Sequence, residues 1–158
     1  NPKITNVNHL EKLEILDARY NCGINDAGIA QCINLKSLNA SGNRKITNVN
    51  HLVKLEKLFG EDNCGINDAG IKQCINLKSL NALNNSKITN VNHLAKLEIL
   101  IAIADCGIND AGMMHCINLK ILNVGHNSKI TNVNHLAKLE ILEAIGLYCG
   151  INDAGIVQ

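Results

Sequence analysis

LKSLNASGNRKI, Leu35 to Ile46, is the stretch that decides the fold. As a pattern it is L-x-x-L-x-A-x-x-N-x-x-I: one short strand, a turn of small and polar residues, and an isoleucine that begins the way back. The same block opens at Leu13, Leu35, Leu55, Leu77, Leu97, Leu119 and Leu139, a longer and a slightly shorter spacing taking turns. In its first copy Leu13, Leu16 and Ala18 are predicted to point inward and Ile15, Asp17 and Arg19 outward, the alternation of a half-exposed strand.

The blocks belong to a longer period. The octapeptide KITNVNHL begins at Lys3, Lys45, Lys87 and Lys129, at one constant interval that spans two blocks, so two related coils alternate. After one strand comes the compact return ITNVNHL, with Thr5 as a candidate N-cap. After the other comes INDAGIAQC, two residues longer, with Asn25 or Asp26 predicted to cap a short helix or 3-10 turn that Gly28 keeps short. The residue after each opening leucine alternates in charge, from Glu14 and Lys36 through Glu56, Lys78, Glu98 and Lys120 to Glu140. In adjacent parallel strands these form a Glu/Lys row, and a strand slipped by one coil would set like charges together.

Composition agrees with stacked coils. Aromatic residues are 2% of the chain and tryptophan is absent, which suits thin layers of Leu, Ile, Val, Ala and Cys better than a rounded core. The net charge of +1 gives no reason to expect nucleic acid or an anionic membrane surface as partner. No apolar run reaches the roughly 18 residues of a membrane span.

The chemistry-bearing residues recur but do not converge. Cys22, Cys64, Cys106 and Cys149 follow alternate strands, about 10 Å apart at a strand spacing of ~4.8 Å, beyond the ~7 Å Cα separation a disulfide tolerates. Cys32, Cys74 and Cys116 stand where the sister coil has Leu10, Leu52 and Leu94, and read as small buried hydrophobes. All seven are expected to be free thiols, which predicts a reducing, cytoplasmic setting. His9, His51, His93 and His135 are likewise too far apart to share a metal and read as half-exposed residues of the returns. Cys106 and His126 could be imagined as a nucleophile pair, but no third orienting group follows. No catalytic, cofactor or metal site is therefore expected. Asn39-Ala40-Ser41 and Asn84-Asn85-Ser86 match the glycosylation acceptor pattern, as an asparagine-rich chain does by accident.

The pattern L-x-x-L-x-A-x-x-N-x-x-I followed by N-D-A-G-I-x-x-C resembles that of leucine-rich repeat proteins, over essentially the whole chain. The INDAGI half is similar to the cysteine-containing and ribonuclease-inhibitor-like classes, and ITNVNHL to the shorter class with little convex helix. The chain departs from the family at the third inward position, where Ala18, Ala40, Gly60, Ala82, Ala102, Val124 and Ala144 replace the usual leucine. The resemblance implies an α/β fold: a right-handed solenoid or horseshoe with about seven short parallel strands on the concave side and short helices or 3-10 turns on the convex side. It also implies that the concave sheet binds protein.

Two sets of residues stand out on that expectation. An asparagine row, Asn21, Asn43, Asn63, Asn85 and Asn127 with Asp105 as a substitute, is expected to bond backbone groups left unpaired where the chain curves away from the sheet. The second set is the outward strand positions that differ between copies. Asp17, Arg19, Tyr20, Phe59, Glu61 and Asp62 mark a polar N-terminal half. Leu83, Ile99, Ile101, Ile103, Ile121 and Ile141 mark an apolar C-terminal half, and contiguous apolar surface of that kind tends to be an interface. In the last block one residue is inserted around Ile145 to Tyr148 and Leu147 stands in the Asn position, which predicts a bulge.

Residues 1–158 are expected to form one repeat domain, an interior fragment of a longer array, because neither end shows a polar capping coil. The expected function is a non-enzymatic protein-interaction scaffold that uses the concave face. The alternatives are a structural component that self-associates through its uncapped ends and the substrate-recognition part of a ubiquitin-ligase adaptor.

Overall fold

The computed structural model describes residues 1–157. Seven three-residue strands, β1 (Ile15–Asp17), β2 (Ser37–Asn39), β3 (Lys57–Phe59), β4 (Ser79–Asn81), β5 (Ile99–Ile101), β6 (Ile121–Asn123) and β7 (Ile141–Glu143), pair in parallel in chain order as one sheet. The register sets Leu16, Leu38, Leu58, Leu80, Leu100, Leu122 and Leu142 side by side. Pairing continues past each strand: the Tyr20 amide donates to the Ser41 carbonyl at 2.7 Å, and the Asp62 amide to that of Leu83 at 2.7 Å.

Each coil leaves the sheet through one left-handed residue. Tyr20, Gly42, Asp62, Asn84, Ala104, His126 and Gly146, seven places after the opening leucines, all have positive φ, between 55° and 103°. Only two of them are glycine, so five coils hold a side chain in a conformation that costs about 1 to 2 kcal/mol.

The core is one apolar column of inward leucines, isoleucines, valines, alanines and cysteines running the length of the solenoid. Thin layers suffice because each coil buries its side chains against the coils on either side. The expected Glu/Lys row is formed: Lys36 meets Glu14 at 2.7 Å, Lys78 meets Glu56 at 3.2 Å and Lys120 meets Glu98 at 3.1 Å. These pairs are exposed and each contributes under ~1 kcal/mol, so they mark register more than they hold the fold together.

The long returns carry 3-10 turns at Ala27–Ile29, Ala69–Ile71 and Asp153–Ile156 and a single-turn helix, α1 (Asp110–Met113). Asparagine caps them: the side-chain oxygens of Asn25, Asn67 and Asn109 accept from the amides of Gly28, Gly70 and Gly112 at 2.9 to 3.0 Å. The neighbouring aspartate serves the next coil instead. Asp26 accepts from the Thr47 amide at 2.7 Å, the Thr47 hydroxyl at 2.6 Å and the Asn48 amide at 3.2 Å, and Asp68 and Asp110 repeat this with Thr89 and Thr131. The short return holds no helix for Thr5 to cap; the threonines that follow it in the pattern are partners in this clasp. Gly70 lets two coils approach closely, since a Cβ there would lie 2.0 Å from the Thr47 carbonyl oxygen.

The asparagine row departs from its expected form. Asn43, Asn85 and Asn127 are buried, and the Asn85 amide nitrogen donates to the carbonyls of Gly60 at 2.8 Å and Ile66 at 3.2 Å. Its oxygen accepts from the Lys87 amide at 3.0 Å. Asn21, Asn63 and Asp105 are exposed, and the buried slot belongs to Cys22, Cys64 and Cys106. The cause is a turn shifted by one residue. In the asparagine coils the Asn43 amide closes on the Ala40 carbonyl, whereas in the cysteine coils the Cys22 amide closes on Arg19. Asparagine and cysteine therefore alternate along one buried ladder, with Asn85 Nδ2 at 3.3 Å from Cys64 Sγ. In the last coil the extra residue falls between Gly146 and Cys149, Leu147 is 95% exposed, and Cys149 reaches the slot half-buried.

Candidate functional site

The sheet presents its outward residues in three rows across the strands. Nearest the strand starts lie Ile15, Ser37, Lys57, Ser79, Ile99, Ile121 and Ile141 in register. Through the middle run Asp17, Asn39, Phe59, Asn81, Ile101, Asn123 and Glu143. The extended ladder places Arg19, Ser41, Glu61, Leu83, Ile103, Gly125 and Ile145 in the third row.

This geometry gathers some of the sequence-derived candidates and separates others. Ile99, Ile121 and Ile141 are direct neighbours on β5, β6 and β7, Leu83 adjoins Ile103, and Ile101 sits between the two rows. Ile99, Ile101, Ile103, Ile121 and Leu83 are half-buried, and Ile141 is exposed. Asp17, Arg19 and Tyr20 lie four strands from β5, about 19 Å at ~4.8 Å per strand, and form a separate cluster. There Arg19 pairs with Asp17 at 2.8 Å and its guanidinium lies 6.0 Å from the centre of the Tyr20 ring. That hydrogen bond holds the Asp17 carboxyl below the usual aspartate range. Phe59 stands alone between Asn39 and Asn81. Tyr20 and Asp62, the left-handed residues of their coils, mark the rim and not the floor. Glu61 is half-buried, accepts from Asn81 Nδ2 at 2.8 Å, and has its carboxyl pushed up by burial and by neighbouring Asp62.

Six of the seven thiols are buried, and three of the imidazoles meet backbone carbonyls. Burial pushes the thiols of Cys74, Cys106 and Cys116 up to about 11, far from a nucleophile's range at neutral pH. Cys74 Sγ donates to the Val49 carbonyl at 3.6 Å. Nε2 of His51 and of His93 lies 3.0 Å from the carbonyls of Ile29 and Ile71, so these rings tie a short return to the long return before it. Among the described residues no three His, Cys, Asp or Glu side chains cluster as metal ligands, and no helix is long and apolar enough to cross a membrane.

The molecule thus has the leucine-rich repeat fold: short coils, one parallel sheet, leucines in register beneath it and an asparagine-containing ladder at its edge. No family model matches the sequence, and no curated protein does. Among solved structures it is similar to internalin C2 from Listeria monocytogenes, at 24% identity and a TM-score of 0.57, over 80% of this chain and 60% of that one. It is also similar to the protein in a TLR13–ssRNA13 complex, at 21% identity and a TM-score of 0.61, over 92% of this chain and 24% of that one. A weaker likeness, 17% identity and a TM-score of 0.49, joins 87% of it to 37% of the functional domain of InlJ from Listeria monocytogenes, described as including a cysteine ladder. The chain spans at most 60% of the length of these structures.

Proposed function

We propose that this chain is a non-enzymatic protein-binding scaffold and that the apolar part of its concave face, Ile99, Ile101 and Ile103 with Leu83 and Ile121, is where the partner sits. The observation that carries this reading is three successive outward positions of one coil filled by isoleucine on an open sheet. Half-buried aliphatic side chains facing water gain by being covered, at roughly 25 cal/mol for each Å² removed from solvent. The TLR13 structure is a complex with an RNA. Here Lys36, Lys78 and Lys120 on the concave margin each lie against a glutamate, and the apolar rows offer no cationic track for phosphates, which supports protein over nucleic acid.

The test is I99S/I101S/I103S/I121S, compared with the parent chain in affinity purification from the source organism followed by mass spectrometry, and in sedimentation over a range of concentrations. Loss of one or a few partners, with an unchanged circular dichroism spectrum, is expected. An identical partner list and identical sedimentation from a folded variant would remove the reading.

A further inference from the structure

The concave sheet is not the only surface that repeats with the coils. Two residues before each opening leucine lies a row that starts at Glu11 and continues as Ile33, Val53, Ile75, Ala95, Ile117 and Ala137. It runs along the edge where the returns rejoin the sheet. Ile33, Val53, Ile75 and Ile117 are 52%, 57%, 58% and 57% exposed, and both alanines are exposed. From Ile33 to Ala137 the stripe crosses five strand spacings, about 24 Å at ~4.8 Å each.

Beside the stripe a lysine recurs at every second coil. Lys54, Lys96 and Lys138 reach back to the side-chain oxygens of Asn34, Asn76 and Asn118 at 2.6 to 2.7 Å. The same amides spend their nitrogens on the carbonyls of Glu11, Val53 and Ala95 at 2.8 to 2.9 Å. The asparagines are therefore satisfied, while each lysine ammonium, with three donors, keeps N–H groups to spare. Two grooves cross this edge. One, of about 300 Å³, is bounded by Lys78, Lys96, Lys120 and Lys138; Lys120 is paired with Glu98 inside it and Lys78 with Glu56 beside it, which leaves Lys96 and Lys138 as the lysines without a carboxylate partner among the described residues. The other, of about 260 Å³, is bounded by Lys36, Lys54, Lys78 and Lys96, of which Lys36 is paired with Glu14 and Lys78 with Glu56.

We infer that this edge is a second docking surface and that its partner is an acidic amphipathic protein segment, its apolar side chains on the isoleucine stripe and its carboxylates on the lysine row. Charge decides against a second copy of the chain, since two such edges would oppose their lysines. A lipid surface fits poorly: interfacial anchoring needs side chains that reach ~5 to 10 Å below the headgroups, and these aliphatics are half sunk in the solenoid with no aromatic among them. Nucleic acid would leave the stripe uncovered and finds no ring on it for base stacking. A helix laid along the stripe has a pitch of ~5.4 Å against the ~4.8 Å spacing of the ridge, and about 16 residues of it cover ~24 Å. The inference is independent of what the concave face binds.

The experiment pans a display library of random peptides, each about 16 residues long to match that span, on the full chain, with K54E/K96E/K138E as the subtracted surface and K54A/K96A/K138A as a milder variant. Thermal melts check that both fold. Peptides rich in Asp or Glu with apolar residues three and four apart are expected, binding about tenfold more weakly to the alanine variant and weakly to I33S/I75S/I117S. Enrichment of neutral or basic peptides overturns the inference, as does the absence of any peptide sensitive to the lysines. So does lysine-dependent binding of phosphatidylserine vesicles or a single-stranded RNA oligonucleotide in place of acidic peptides.

Discussion

Asn63 and Asn85 hold the same place in their sequence blocks, eight residues after Leu55 and Leu77, yet one is exposed and the other is buried. Replacing each by alanine therefore separates the structural ladder from the sequence pattern. Asn85→Ala takes the partner from the Gly60 and Ile66 carbonyls and from the Lys87 amide. An interior backbone group left unpaired costs about 1 to 3 kcal/mol, so the expected loss is roughly 3 to 5 kcal/mol. For a chain of this size that corresponds to a fall in Tm of roughly 10 °C. Asn63→Ala is expected to change stability by no more than about 0.5 kcal/mol. Asn85→Cys adds a control, because it copies what the sister coil carries in the same slot. A thiol offers one weak donor and cannot serve two carbonyls, so it should recover little of the loss. Urea titration followed by circular dichroism measures all three. Equal losses for Asn63 and Asn85, or full stability for Asn85→Cys, would show that the slot needs only a small buried side chain and that the hydrogen bonds carry no weight.

Gly60 and Gly70 should respond oppositely to alanine. A Cβ at Gly60 meets nothing nearer than 3.6 Å and should stabilise by about 0.4 to 1 kcal/mol, whereas at Gly70 it would lie 2.0 Å from a backbone oxygen and should destabilise by well over ~1 kcal/mol in the same urea titration. Native thiol titration with a chromogenic disulfide at mildly alkaline pH should detect Cys149 alone as fast, and the other six cysteines only after denaturation; several fast thiols would contradict the buried ladder. Burial and Asp62 raise the Glu61 carboxyl above its usual value, so the folded chain holds that proton more tightly than the unfolded chain. The stability contributed by this group is full below about pH 4.5 and is lost as pH rises through the raised folded value. Glu61→Gln should flatten that part of the stability profile, and an unchanged slope would refute the assignment.

The sheet could be read from the leucine spacing because a parallel solenoid repeats the same environment at the same offset, and the Glu14/Lys36 alternation fixed its register. The outward isoleucines were legible for the same reason, since alternation about Leu100 leaves Ile99 and Ile101 facing out. The ladder was only half legible. Asn21 and Asn43 share an offset, and nothing local in the sequence reveals that Cys22 closes its turn one residue later. The edge stripe was missed because Ile33 follows Cys32 and precedes Leu35, and so looks like part of a buried apolar run. Its signal was present in the pairs Ile33-Asn34, Ile75-Asn76 and Ile117-Asn118, which set beside each isoleucine a polar neighbour that an interior strand would not hold. The Asp26–Thr47 clasp joins one coil to the next and had no local signature.

The alternation of two coils sets the step by which such a chain can change length. Excising one coil, Leu55 to Asn76, would bring Lys36 alongside Lys78 and the slot of Asn43 alongside that of Asn85. Ammonium groups would then face each other across one strand spacing, and Thr89 would follow the short return of Thr47 with its own clasp partner, Asp68, removed. Excising or duplicating a pair of coils, such as Leu55 to Ala95 together with Lys96, leaves every kind of neighbour as it was. Recombination within the gene, or a designer lengthening the array, can therefore trade in pairs of coils without repair, while a single coil gained or lost demands compensating substitutions on both sides of the joint.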